Sequence, residues 1–136
     1  MIRRATAHDA DAVRDLARQL GYPHGGNALE EICVRDDHAV FVAVEAERVA
    51  GFIHVSVMLS LESDTYAEIR ALVVDEAERG RGLGEQLVRA AEEWSRSRRV
   101  EKVRVRSNVI RDHARRFYER LGYKVVKTQN VFDKIQ

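Results

Sequence analysis

Three glycines fall within six residues in Arg79-Gly80-Arg81-Gly82-Leu83-Gly84. Such a run removes the side chains that would hold an anion away from main-chain N–H groups. Where it opens a helix, the unpaired amides and the positive end of the helix dipole favour a phosphate or pyrophosphate. Arg79 and Arg81 add positive charge at the same place. The spacing departs from two familiar phosphate loops. A dinucleotide fingerprint needs its third glycine one residue later. A P-loop ends in Gly-Lys-Ser/Thr, whereas Gly84 is followed by Glu85-Gln86. A tight strand-to-helix turn with no ligand is the plain alternative.

The elements that position this loop follow from the pattern around it. Tyr66 to Val74 is an apolar run, continuous over Ile69 to Val74, and predicts a central strand covered on both faces. A helix from about Gly82 to Ser97 buries Leu83, Leu87, Val88, Ala91 and Trp94 at helical spacing. Upstream, Asp9 or Asp11 caps a helix carrying Val13, Leu16, Ala17 and Leu20, and Gly21 ends it. A short helix holds Leu29 and Ile32, and Val40 to Val44 with Val49 to Met58 reads as a hairpin. Downstream come a strand over Val100 to Arg106, a helix from Asp112 closed by Gly122, and two strands, Tyr123 to Val126 and Asn130 to Ile135. This order predicts an α/β (α+β) fold: a mixed, mostly antiparallel sheet of six to seven strands flanked by about four helices.

Two stretches together resemble a known family. Ile69-Arg-Ala-Leu-Val-Val-Asp75 followed by Arg79-x-x-Gly82-x-Gly84 is similar to the acetyl-CoA motif of the GNAT superfamily of N-acetyltransferases. Ala114-Arg115-Arg116-Phe117-Tyr118-Glu119-Arg120-Leu121-Gly122-Tyr123 resembles that family's A-x-x-F-Y-x-x-x-G-[F/Y] block. Ile2 to Thr6 and Gly51-Phe52 also stand where members place their start and a strand, so the likeness covers almost the whole chain. The resemblance implies acetyl-CoA as co-substrate, without a metal. Main-chain groups of Leu72, Val73 and Val74 would pair with its pantetheine arm, and Arg79, Gly80, Arg81, Gly82, Leu83 and Gly84 would hold the pyrophosphate. Arg111 stands where many members carry an Asn on the cofactor arm, with Asn108 three residues earlier, and is a candidate for a CoA phosphate.

Tyr118 matches the tyrosine that protonates the leaving thiolate in the family; a core aromatic beside Phe117 is the alternative. Glu68, in Ala67-Glu68-Ile69, resembles the general base of histone-acetyltransferase-type members; an edge glutamate or a binder of a cationic substrate is the alternative. The six residues from Glu68 to Val74 span about 20 Å of strand. The resemblance implies direct attack of a small-molecule or peptide amine within a ternary complex, with a homodimer possible. A non-catalytic CoA-binding sensor or partner module competes with that reading.

Composition limits the remaining classes. The 136 residues carry 23 basic and 22 acidic side chains, net +1, and are 45% hydrophobic, which fits one domain over 1–136. No apolar run approaches the roughly 20 residues of a membrane span, and the opening Met-Ile-Arg-Arg-Ala-Thr has no signal-peptide core. The expected location is cytoplasmic. Cys33 is the single cysteine, and the five histidines lack ligand spacing; His54 faces either the substrate cleft or a satisfied core or edge position. The basic run through Arg96, Arg98, Arg99, Lys102, Arg104 and Arg106 has no interleaved aromatics and reads as solvated surface rather than a nucleic-acid site. Residues 1–75 hold 7 Arg and no Lys against 13 acids, a net of −6, while 76–136 are net +7. That split suits a polyanionic CoA on one side and a cationic amine on the other, or simply helix faces that differ.

Overall fold

The computed structural model describes every residue except 108, 110 and 111. It divides into two units, Met1–Val105 and Arg106–Gln136. The first opens with a three-residue strand β1, Ile2–Arg4, too short for a two-residue alternation to register in the sequence. A 3-10 turn over Ala7–Asp9 leads into α1, Ala10–Gln19. Asp9 does stand at the cap of α1, but its carboxylate turns backwards. It accepts from the Thr6 N–H at 2.8 Å and from both terminal nitrogens of Arg3 at 2.9 and 3.0 Å, so it fastens β1 to the start of the helix. The Arg3 guanidinium accordingly holds the Asp9 carboxyl below the usual range.

A short helix α2, Leu29–Cys33, precedes the hairpin of β2, His38–Glu45, and β3, Arg48–Met58. Ala46 and Glu47 turn it with φ of 49° and 65°, the left-handed pair a two-residue hairpin turn requires. Then come β4, Tyr66–Val74, a 3-10 turn over Glu76–Glu78, α3, Leu83–Ser97, and β5, Val103–Val105. The sheet runs β1-β2-β3-β4-β5. All pairs are antiparallel except β4 with β5, which is the mixed, mostly antiparallel arrangement expected.

Helices α1 and α2 bury Val13, Leu16, Ala17 and Leu29 against Val40, Val42, Phe52 and Val73. Helix α3 packs on β2, β3 and β4 from the opposite side: a side chain at Gly51, next to Phe52, would meet Leu87 Cδ1 at 3.3 Å, and successive strand residues face opposite ways. Leu83, Leu87, Val88, Ala91 and Trp94 are all buried, as their spacing predicts. Each large side chain so covered contributes about 2 kcal/mol.

The second unit contains α4, Asp112–Arg120. Gly122, at φ +97°, ends it, and the Gly122 and Tyr123 amides donate to the Glu119 and Tyr118 carbonyls at 3.1 and 3.0 Å. This is the glycine stop the sequence predicts. The expected strands over Tyr123 to Val126 and Asn130 to Ile135 do not form, so the described residues make a sheet of five strands, not six to seven. Val125, Val126, Val131, Phe132 and Ile135 stand exposed. Alternating β-branched residues report what suits a half-buried pleated surface; without a neighbouring ladder the same residues have nothing to pair with.

Candidate functional site

The glycine loop takes the form its composition predicts. Gly80 and Gly82 adopt φ of +84° and +80°, the left-handed region that favours glycine. Nothing lies within 4 Å of where a Cβ would stand at either position, so the space before α3 is open. Gly82 caps α3, and by helix geometry the first amides of that helix have no partner within it. Unpaired amides at a helix N-terminus with open space before them are the general setting in which an anion is held.

The loop is tied down from below by several side chains, of which the sequence reading singled out only Arg79 and Arg81. Asp75 accepts from the Ala77 N–H at 3.0 Å and from Arg48 at 3.1 Å. These bonds, the Ala77 amide first, hold its carboxyl below the usual range. Glu78 pairs with Arg81 at 3.1 Å and lies 3.9 Å from Arg48. Gln19, at the end of α1, accepts from the Glu76 N–H at 3.3 Å. Arg79 turns its Nε onto the Val74 carbonyl at 3.3 Å. Acidic residues just before a glycine loop were the available signal, but Arg48 and Gln19 arrive from elements far away in the chain.

Strand β4 is opened on the side where β5 lies. Its ladder with β5 covers only Ala67–Ile69 against Val103–Val105, so among the described residues positions 70–74 have no strand on that side. The register against β3 also shifts there. His54 pairs with Ala71 and Val55 with Ile69, leaving Arg70 as an extra residue; such a bulge bends its strand and disrupts the ladder locally. The main-chain groups of Leu72, Val73 and Val74 thus border an open edge beside the loop. The Val73 side chain belongs to the core and is buried.

Glu68 sits at the closed end of that edge. Its register partners are Ser56 on β3 and Arg104 on β5, and Ser56 pairs in turn with His38. These four therefore share one face of the sheet. Glu68 is buried, with an oxygen 3.4 Å from Arg70. On the same face His38 Nδ1 and His54 Nε2 meet at 2.8 Å with their rings stacked. Burial, followed by the neighbouring His38 and Arg70 charges, lowers His54 to about 4. Cys33, whose thiol burial pushes up, is partly buried with Sγ 3.7 Å from the Ala5 carbonyl, as a small apolar residue would be.

In the second unit Tyr118 lies on α4, edge-on to Phe117 and Tyr123 at 5.0 and 5.7 Å between ring centres. Burial pushes its phenol up to about 12. Arg111 and Asn108 lie outside the described residues. Among the described residues no group of three potential metal ligands comes together, and no helix is long and apolar enough to cross a membrane.

An open sheet edge running into a glycine loop at a helix N-terminus is the anatomy of a site for an extended ligand with a phosphate at one end. The Acetyltransferase (GNAT) family matches residues 9–123, and the chain belongs to that family, as a GNAT-type N-acetyltransferase. The chain is 32% identical over 133 residues to the aminoalkylphosphonate N-acetyltransferase of Salmonella typhimurium, covering 90% of this chain and 84% of the relative. Among solved structures it is similar to the aminoglycoside N-acetyltransferase AAC(6')-Iy in complex with CoA. That likeness has a TM-score of 0.87 at 21% identity, over 98% of this chain and 93% of the other. A protein of Bacillus halodurans C-125 described as a transcriptional regulator matches with a TM-score of 0.82 at 27% identity, over 98% and 99% of the two chains.

Proposed function

We propose that the protein transfers the acetyl group of acetyl-CoA to a primary amine by direct attack within a ternary complex. The observation that carries this reading is the open edge of β4 leading into the Gly80–Gly82 cradle at the start of α3. Main-chain groups of Leu72, Val73 and Val74 pair with the peptide-like pantetheine arm as an added strand would. The amides from Arg79 to Gly84 take the pyrophosphate, and Arg111 takes a further CoA phosphate. The family match runs from residue 9 into α4 and so includes parts of both units, which supports one acetyltransferase domain.

Acetyl-CoA supplies an activated thioester. Glu68 accepts a proton from the acceptor ammonium, because only the neutral amine has a lone pair for attack. The new C–N bond forms as the C–S bond breaks. Tyr118 hands its proton to the departing thiolate, and the second nitrogen-bound proton, released as the cationic adduct becomes the neutral amide, passes through water to restore the phenol. The products are the N-acetyl amine, CoA thiol and the proton left on Glu68, which then passes to water. The relatives act on an aminoalkylphosphonate and on aminoglycosides by name, and both acceptors present primary amines.

Thiol release over an amine panel tests the reading, with Tyr118→Phe as the diagnostic variant. Turnover with at least one amine, and a kcat reduced at least about tenfold in the variant, is expected. Tight CoA binding with no turnover of any amine would leave a binding module instead.

A further inference from the structure

Two cations share one aromatic ring next to Glu68. The Arg104 guanidinium lies 4.5 Å from the centre of the Tyr66 ring and the Lys102 ammonium 5.5 Å from it. Arg104 is the register partner of Glu68 across the parallel pair. Tyr66 precedes Glu68 by two residues and so projects from the same face of β4. From within β4, the bulge residue Arg70 brings one guanidinium nitrogen to 3.4 Å from Glu68 Oε2 and 3.4 Å from the Met58 sulfur. Glu68 is thus paired with Arg70 and in register with Arg104, which shares the Tyr66 ring with Lys102. Three cationic side chains and one acid leave an excess of formal positive charge on this stretch of the sheet.

Neither the histidine pair nor the neighbouring Asp37 offsets that excess. His38 and His54 are hydrogen-bonded to each other. Asp37, the neighbouring acid, gives both carboxylate oxygens to Arg35 at 3.1 and 3.2 Å. Like charges held on one ring repel each other, and an anion between them relieves the repulsion. The aromatic face fixes where the cations stand, so the pair is arranged before any ligand arrives. A polycationic acceptor would meet repulsion here; an amine with an acidic group at its far end would not.

We infer that the acceptor is a short amine carrying a phosphonate, phosphate or carboxylate group, bound with its acidic group on Arg104 and Lys102 and its nitrogen at Glu68. Arg70 stands beside Glu68 and contacts the chain between the two ends. Neighbouring strands lie about 4.8 Å apart, so Glu68 and Arg104, in register on adjacent strands, suit the two ends of one short acceptor. This inference rests on the acetyltransferase reading and adds the second functional group of its substrate.

The test uses the full chain and three amines: 2-aminoethylphosphonate, ethanolamine and an aminoglycoside. Thiol release gives kcat/KM for each, and calorimetry gives the affinity for 2-aminoethylphosphonate without acetyl-CoA. The phosphonate is expected to exceed ethanolamine at least about tenfold, or 1.4 kcal/mol, with the aminoglycoside poorest. Arg104→Gln should lower the phosphonate-to-ethanolamine ratio about tenfold, mainly through KM, and Arg104→Lys should restore part of it. Lys102→Gln, at an exposed position, serves if Arg104→Gln fails to fold. Equal kcat/KM for the acidic and neutral amines, a preference for the aminoglycoside, or a ratio unmoved by these substitutions would overturn the inference while leaving acetyl transfer intact. Phosphonate binding that Arg104→Gln abolishes, without turnover of any amine, would uphold the subsite and reject the acetyl-transfer reading. Absence of both binding and turnover rejects both.

Discussion

A phenol pushed up to about 12 keeps its proton across the whole range in which an alkylamine loses one. Tyr118 is therefore protonated whenever the acceptor is nucleophilic, as a donor to a thiolate must be. Its own titration should add no descending limb to a kcat/KM profile below about pH 11; a limb near pH 9 that disappears in Tyr118→Phe would contradict that placement. His54 makes the opposite case. Its value is near 6.5 when unfolded and about 4 when folded, so the unfolded chain binds the extra proton between those limits. Stability is thus complete above about pH 6.5 and falls as the pH drops towards 4, by on the order of 2 kcal/mol. Chemical denaturation across that window should show the loss, and His54→Gln should flatten it; an unchanged slope in the variant would place the proton elsewhere. The sequence motif that contains Tyr118 is local and can be read from consecutive residues. The contact of His38 with His54 joins residues sixteen apart through the hairpin register, and no spacing rule announces it.

The same division between local and distant holds for whole elements. Helix α3 was readable nearly to its ends, because five buried positions repeat at helical spacing and glycines mark its start. The hairpin was readable because two apolar runs flank a short polar turn. The bulge at Arg70 was not: Ile69 to Val74 looks like an unbroken buried strand, and only pairing with β3 shows that one residue is extra. Nor was the shortness of β5, a three-residue strand in a longer alternating run. The bulge and the short ladder that leaves the β4 edge open are thus properties of pairing, invisible along one strand. The loop at the end of that edge allows a clean substitution test. Gly82→Ala and Gly82→Asp both take on left-handed strain, about 1 kcal/mol and somewhat less for aspartate, and a Cβ at this position meets no atom within 4 Å. Only aspartate adds a negative charge where a pyrophosphate would lie. The acetyl-CoA dissociation constant should rise at least about tenfold more for Gly82→Asp than for Gly82→Ala. Equal affinities in two folded variants would remove the pyrophosphate from this loop.

At the scale of the molecule, the near-zero net charge conceals two halves of −6 and +7, and the fold does not keep them apart. Parallel pairing of β4 with β5 carries Lys102 and Arg104, from the basic half, onto the strand that holds Glu68 and Arg70, from the acidic one. The field around Glu68 is therefore basic although it lies in acidic sequence, so an acidic half does not by itself argue for a cationic acceptor. The loop behaves differently, because its charge is local to begin with. Arg79 and Arg81 flank Gly80, and Arg81, exposed over 67% of its side chain, is held by Glu78 at 3.1 Å. Exposed charges of this kind attract phosphates strongly at low salt and weakly once the Debye length shrinks. Raising sodium chloride from about 0.05 to about 0.5 M shortens that length from roughly 14 to roughly 4 Å, and the dissociation constant of CoA should rise several-fold. S-acetylpantetheine has no phosphate, reads only the β4 edge, and should bind with little salt dependence. If both ligands respond alike, the arginines do not read the phosphates, and affinity for CoA comes from the strand edge alone.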